Sequence, residues 1–137
     1  MTRTKLIRFG VSIPEDLLKA FDRIVKRKRY TNRSEALRDI IRDQMVHAAA
    51  EEDRNIVGTL TMIYDHHVPE VTRKMLELQH KLGAGVLSTL HIHLDHDHCL
   101  EVVVLRGRVG LIQPVADQLL SLRGVKHGRF VITAPVD

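Results

Sequence analysis

Nine histidines and a single cysteine occur in 137 residues, and one stretch spaces three of these donors so that they could hold a metal ion. Thr89 to Cys99 reads Thr-Leu-His-Ile-His-Leu-Asp-His-Asp-His-Cys. Val86, Ser88, Leu90, Ile92 and Leu94 share one parity, and Leu87, Thr89, His91 and His93 share the other. That period of two is the signature of a strand. Side chains repeat on one face every second residue, so His91 and His93 project together. After the polar turn Asp95-His96-Asp97-His98, Cys99 opens the next apolar run, Leu100 to Leu105. Two imidazoles and a thiolate therefore converge. Donors of this intermediate softness suit late first-row divalent metals and are poor partners for magnesium or calcium. A lone cysteine is often just a small buried hydrophobe, and single histidines are often plain surface residues. Two histidines on one strand face beside the only thiol favour the metal.

The elements that must hold this stretch follow from periodicity. Gly58 to Tyr64 alternates as a strand, and Pro69 to Leu82 reads as a helix with Val71, Met75, Leu78 and Leu82 inward. Val86 to Leu94 and Cys99 to Arg106 are strands. Ile112 to Leu122 is a helix with Pro114 in its first turn and Gly124 at its stop, and Val125 to Thr133 is the last strand. The order βαββαβ is the ferredoxin-like arrangement. With both helices on one face, the other face stays open and calls for a second copy.

The chain before this unit has a different character. Residues 1–45 carry 12 Lys and Arg against 6 Asp and Glu, while residues 46–137 carry 9 against 11. A basic segment of this kind suits a polyanion. Leu6 to Ile13 alternates as one short strand, which must pair to be stable. Ser12-Ile13-Pro14-Glu15 fits a capping box ahead of a helix with Leu17, Leu18, Phe21, Ile24 and Val25 on one stripe. A second box, Asn32-Arg33-Ser34-Glu35, starts a helix with Ala36, Leu37, Ile40, Ile41 and Met45 inward. Two copies, with strands paired antiparallel and four helices packed, would close a core that one copy cannot. Residues 48–57 read as a polar linker, giving units at 1–47 and 58–137. The single cysteine precludes an intrachain disulfide, and neither a signal-peptide core nor a membrane span is present, so a cytoplasmic protein is expected.

The strand Ile-Arg-Phe-Gly-Val-Ser-Ile, the start Pro-Glu-Asp-Leu-Leu and the turn Tyr-Thr-Asn-Arg-Ser-Glu-Ala-Leu-Arg resemble the ribbon-helix-helix DNA-binding fold. In that family a two-stranded ribbon enters the major groove. Alternation then turns Arg8, Gly10 and Ser12 outward to the bases, and Phe9, Val11 and Ile13 toward the helices. Arg8 can donate two bonds to guanine; Gly10 departs from relatives that often carry a hydroxyl there. Asn32, Arg33 and Ser34, at a helix start, suit a phosphate, with plain solvation of Arg33 the alternative.

A basic head of this kind joined to a βαββαβ tail carrying His-x-His-x5-Cys resembles, over essentially the whole chain, the NikR family of nickel-responsive transcriptional regulators. The stretches that carry it include Arg33 to Asp39, Leu78-Gln79-His80, His91-Ile92-His93, Cys99-Leu100-Glu101 and Arg123 to Gly128. The resemblance implies a Ni(II) site made of His91, His93 and Cys99 from one subunit and His80 from another, three nitrogens and one thiolate in a plane. It also implies a cation held by Glu35 and Asp39, for which helix capping is the alternative reading of Glu35. Glu101, on the strand face of Cys99, is placed to accept a bond that orients a ligand histidine. His66, His67, His96 and His98 fall in turns, where exposure is expected and weak secondary metal binding is the alternative; His47 and His127 are unassigned. The implied function is a nickel-activated repressor, a homotetramer built as a dimer of dimers on a double-stranded operator with two half-sites. A regulator of the same build sensing another metal or a small molecule such as an amino acid is the rival. No nucleophile motif appears, and four protein ligands would close the metal site, so an enzyme is not expected.

Overall fold

The structure, a computed structural model, describes residues 4–136, and the chain divides between residues 41 and 42 into two compact units. Unit 1 contains helix α1 (Glu15–Arg27) and the start of α2 (Arg33–Glu51), which continues into unit 2. The stretch anticipated as a linker, 48–57, is occupied by the end of α2, a short turn and the start of a strand.

Residues 4–13 form no strand ladder. A ladder needs a partner's amides and carbonyls, and unit 1 of one chain contains no other strand among its described residues. Phe9 and Val11, expected to face the helices, are 69% and 65% exposed. They line a groove with Leu37 and Ile41 of α2, which supplies only one wall for them. Among the described residues of unit 1, only Ala36 is buried.

The two helix starts differ. The Ser12 capping box is not formed: α1 is capped by Pro14 with no side-chain bond, and the Leu18 N–H donates to the Pro14 carbonyl at 3.0 Å. Proline's fixed φ suits that boundary and displaces the cap two residues on. At α2 the expected Asn32 cap forms, with Glu35 bonding one residue further back than the box requires. Asn32 Oδ1 accepts the Glu35 N–H at 2.9 Å, while the Glu35 carboxylate reaches back to the Thr31 N–H at 2.7 Å.

Unit 2 is a four-stranded antiparallel sheet with two helices: β1 (Asn55–Asp65), α3 (Val71–Leu82), β2 (Val86–His93), β3 (His98–Arg108), α4 (Val109–Leu120) and β4 (Val125–Pro135). The strand order β2-β3-β1-β4 is that of the expected ferredoxin-like α+β fold. Ile56, Leu60, Met62 and Tyr64 of β1 alternate inward and meet Val103 and Leu105 of β3, Val71 and Met75 of α3, and Ile112 and Leu119 of α4. Leu78 and Leu82 pack at the edge of this core. Helix α4 begins three residues earlier than expected, so Pro114 lies inside it. Its start is set by Asp53, whose carboxylate accepts the Gly110 N–H and the Arg108 guanidinium. Gly124 follows α4 with φ +104°, a left-handed turn that glycine adopts without a Cβ clash. Among the described residues, no helix is long and apolar enough to cross a membrane.

Candidate metal centre and DNA-facing residues

Strand register assembles the centre. His93 lies opposite Cys99 across the β2–β3 ladder, and Cys99 lies opposite Tyr64 across β3–β1; two pairs further along, His91 faces Glu101. Directly opposite residues share a sheet face, so all five point to the side that carries α3 and α4. One ligand atom each from His91, His93 and Cys99 falls within 4.8 Å of the others. The Cys99 sulfur lies 3.4 Å from His93 Nδ1, and the two imidazole centroids are 5.1 Å apart. Cys99 is buried while both histidines are exposed, and β2, which carries the histidines, is an edge strand of the sheet. Two nitrogens and a sulfur, one side walled by protein and the other open, fit a late first-row divalent ion that takes a further ligand from outside this group.

Two neighbours shape the centre. The Tyr64 hydroxyl lies 3.3 Å from His91 Nδ1. Burial, together with the nearby Glu101 and Cys99, pushes its pKa up to about 12, so the phenol keeps its proton at neutral pH. Tyr64 was not legible as a site residue, since its place in the β1 alternation marks it as core and only the β1–β3 register sets it beside Cys99. Glu101 sits opposite His91 but accepts from the Gln79 side-chain amide at 3.2 Å, tying α3 to β3 beside the donors.

His80 is exposed on the last turn of α3. It lines a shallow groove with Leu76, Gly83, Val86 and Thr89 and is not one of the three residues whose donor atoms converge within a chain.

In unit 1, Arg8, Gly10 and Ser12 are exposed. Arg33, anticipated as a phosphate contact, forks onto Asp22 at 2.8 and 2.9 Å and fastens α2 to α1. Asn32 is engaged as the α2 cap, and Ser34 is exposed in the first turn. Glu35 is held below the usual carboxylate range by the Thr31 N–H, and Asp39 accepts the Tyr30 hydroxyl. Both acids therefore serve the turn between the helices.

Sequence comparison accounts for both units. Residues 57–133 match the profile of the NikR C-terminal nickel binding domain, and residues 7–45 match ribbon-helix-helix proteins of the copG family. A protein of Thermococcus onnurineus named as a nickel-responsive regulator is 50% identical over 130 residues, covering 94% of each chain. Proteins carrying the same name in Solibacter usitatus and Pyrococcus furiosus are 52% and 50% identical over 129 residues, covering 93% of this chain and 93% and 94% of theirs. The chain belongs to the NikR family of nickel-responsive regulators. The family pairs a ribbon-helix-helix unit with a nickel-binding unit in one chain, and its members are regulators rather than enzymes.

Proposed function

We propose that the chain is a nickel-dependent repressor whose Ni(II) is held by His91, His93 and Cys99 of one subunit and by His80 of another. The carrying observation is the convergence of two imidazoles and the only thiol at an exposed edge strand, with room for a fourth donor from outside. Bound there, the ion supplies a strong directional link between groups on different chains. When His91 Nδ1–H donates to the Tyr64 oxygen, Nε2 is left as its coordinating nitrogen. Glu101 acts by fixing α3 through Gln79, on the helix that carries His80.

The assembly proposed is a homotetramer, a dimer of dimers. Leu90, Ile92 and Leu94 project from the opposite face of β2 and are exposed; a second tail would cover them. In the heads, two copies of residues 6–13 would pair as a ribbon, burying Phe9, Val11 and Ile13 and leaving Arg8, Gly10 and Ser12 to the bases, with Asn32, Arg33 and Ser34 near phosphates. Units at 1–47 and 58–137 divide this work in a cytoplasmic protein. A ligand shared between subunits couples occupancy to their arrangement, and so to whether two ribbons meet two operator half-sites. Glu35 and Asp39 are proposed as a secondary cation site.

The test is titration with Ni(II), following the thiolate-to-metal absorption, alongside operator binding before and after chelation. The expected result is absorption and tight operator binding in the wild type, no such absorption in Cys99→Ala, and loss of metal-dependent DNA binding in His80→Ala. DNA affinity indifferent to the metal would overturn the reading.

A further inference from the structure

At the end of unit 2 remote from Cys99, a groove of about 470 Å³ opens between the C-terminus of α3, the start of β2 and the β3–α4 junction. That volume falls within the roughly 300–1,000 Å³ of small-molecule sites. We propose that this groove binds a small amphipathic carboxylate, a short aliphatic chain with one anionic end. Arg106, on its lining, stands seven residues along β3 from Cys99, about 24 Å at the rise of a strand. The groove and the thiolate centre therefore share no residue.

Four aliphatic side chains line the groove: Ile112 and Val115 are buried, Leu82 is half-buried and Leu111 is 62% exposed. A chain laid against them would take their remaining apolar surface out of water. Two glycines keep the space open. A Cβ at Gly107 would stand 3.2 Å from Ile112 Cδ1, and one at Gly85 would stand 3.0 Å from the Arg106 carbonyl oxygen.

The charged lining is all of one sign. Lys81, Arg106 and Arg108 face the groove, and no carboxylate is among the lining residues. Arg108 is already paired with Asp53. Lys81 and Arg106 are exposed and take part in no ion pair among the described residues. They come from different elements, α3 and β3, so an anion held by both ties helix to sheet. The neighbouring groove between α3 and α4 is smaller, about 310 Å³, and sets Glu77 beside Lys74 and Lys81, which makes it a poorer match for an anion.

Charge and apolar surface together set the ligand class. Inorganic phosphate would meet the two cations and leave the aliphatic lining in water. A neutral chain would cover that lining and leave the cations without an acceptor. A carboxylate with an aliphatic body answers both, its two oxygens matching the fork of the Arg106 guanidinium.

The experiment titrates hexanoate into the full chain labelled at its Ile and Leu methyl groups and follows it by NMR, with inorganic phosphate and hexanamide as comparisons. Saturable shifts of the Ile112 and Leu82 methyls are expected, at one hexanoate per chain, with phosphate and hexanamide at least about tenfold weaker. Arg106→Glu and Lys81→Glu, both at exposed positions, should each weaken hexanoate by about tenfold or more. The Leu60 methyls should keep their positions in both variants, reporting an intact core. Shifts that spread over both units without saturating, hexanoate affinity unchanged in both variants, or phosphate or hexanamide binding as well as hexanoate would overturn the proposal.

Discussion

Leu60, Met62, Leu105 and Leu119 of unit 2 are shielded from solvent, while Phe9, Val11 and Leu17 of unit 1 remain more than half exposed. The difference lies in topology rather than in composition. A sheet whose strands all come from one chain, with two helices laid across it, closes a core by itself. One strand and two helices leave the strand unpaired and the apolar stripe of α1 facing water, with no buried residue on that helix. Unit 2 can be stable as one chain. In the assembly proposed above, unit 1 would draw its stability from a second copy.

Five outcomes would break or sharpen that contrast. The largest concerns the metal: Cys99→Ala should weaken Ni(II) binding by more than about 100-fold, since it removes a proposed ligand rather than a supporting group, and a competition titration measures it. Next, Leu60→Ala should cost about 2–5 kcal/mol in urea unfolding of the tail, with less dependence on protein concentration than unit 1 shows. Phe9→Ala should instead destabilise the head in a concentration-dependent way and lower DNA affinity. A Phe9 variant with no concentration dependence would end the contrast. Third, Tyr64→Phe should weaken Ni(II) by about tenfold while leaving the fold intact by circular dichroism, because it removes only the group that fixes the His91 ring.

The fourth outcome is set by pH. The Gly110 N–H, with the Arg108 guanidinium, holds the Asp53 carboxyl below its usual range. Its ionised form is favoured by folding, so its contribution is present above about pH 4 and lost as pH falls through the folded value. Asp53→Asn should lower tail stability at neutral pH and converge with the wild type in acid, which flattens the acid limb. The smallest effect belongs to Arg33 and Asp22. Both are exposed, so 1 M salt should erase most of the difference between wild type and Asp22→Asn in head stability.

Much of this arrangement is legible in sequence because it is local. The parity of His91 and His93, the Asn32 cap and the β1 alternation each depend on neighbours a few residues away. What is not legible depends on distant partners. Asp53 sets the start of α4 from a position 57 residues before Gly110, so periodicity placed that start too late. Tyr64 meets His91 only through the order of three strands, and Arg33 finds Asp22 only once α1 and α2 are packed. The bareness of Phe9 has the same origin, since no strand among the described residues of unit 1 pairs with residues 4–13.

Because His93, Cys99 and Tyr64 sit side by side on three neighbouring strands, the turn between β2 and β3 acts as a parity gate. Inserting one residue after His96 would carry Cys99 to the far side of the sheet if β3 slipped with it, and would scatter the donors in a single step. Inserting two would restore the side while displacing the partners by one repeat. Loop length there is consequently constrained in even increments, a kind of arithmetic that no single side chain in the loop reveals.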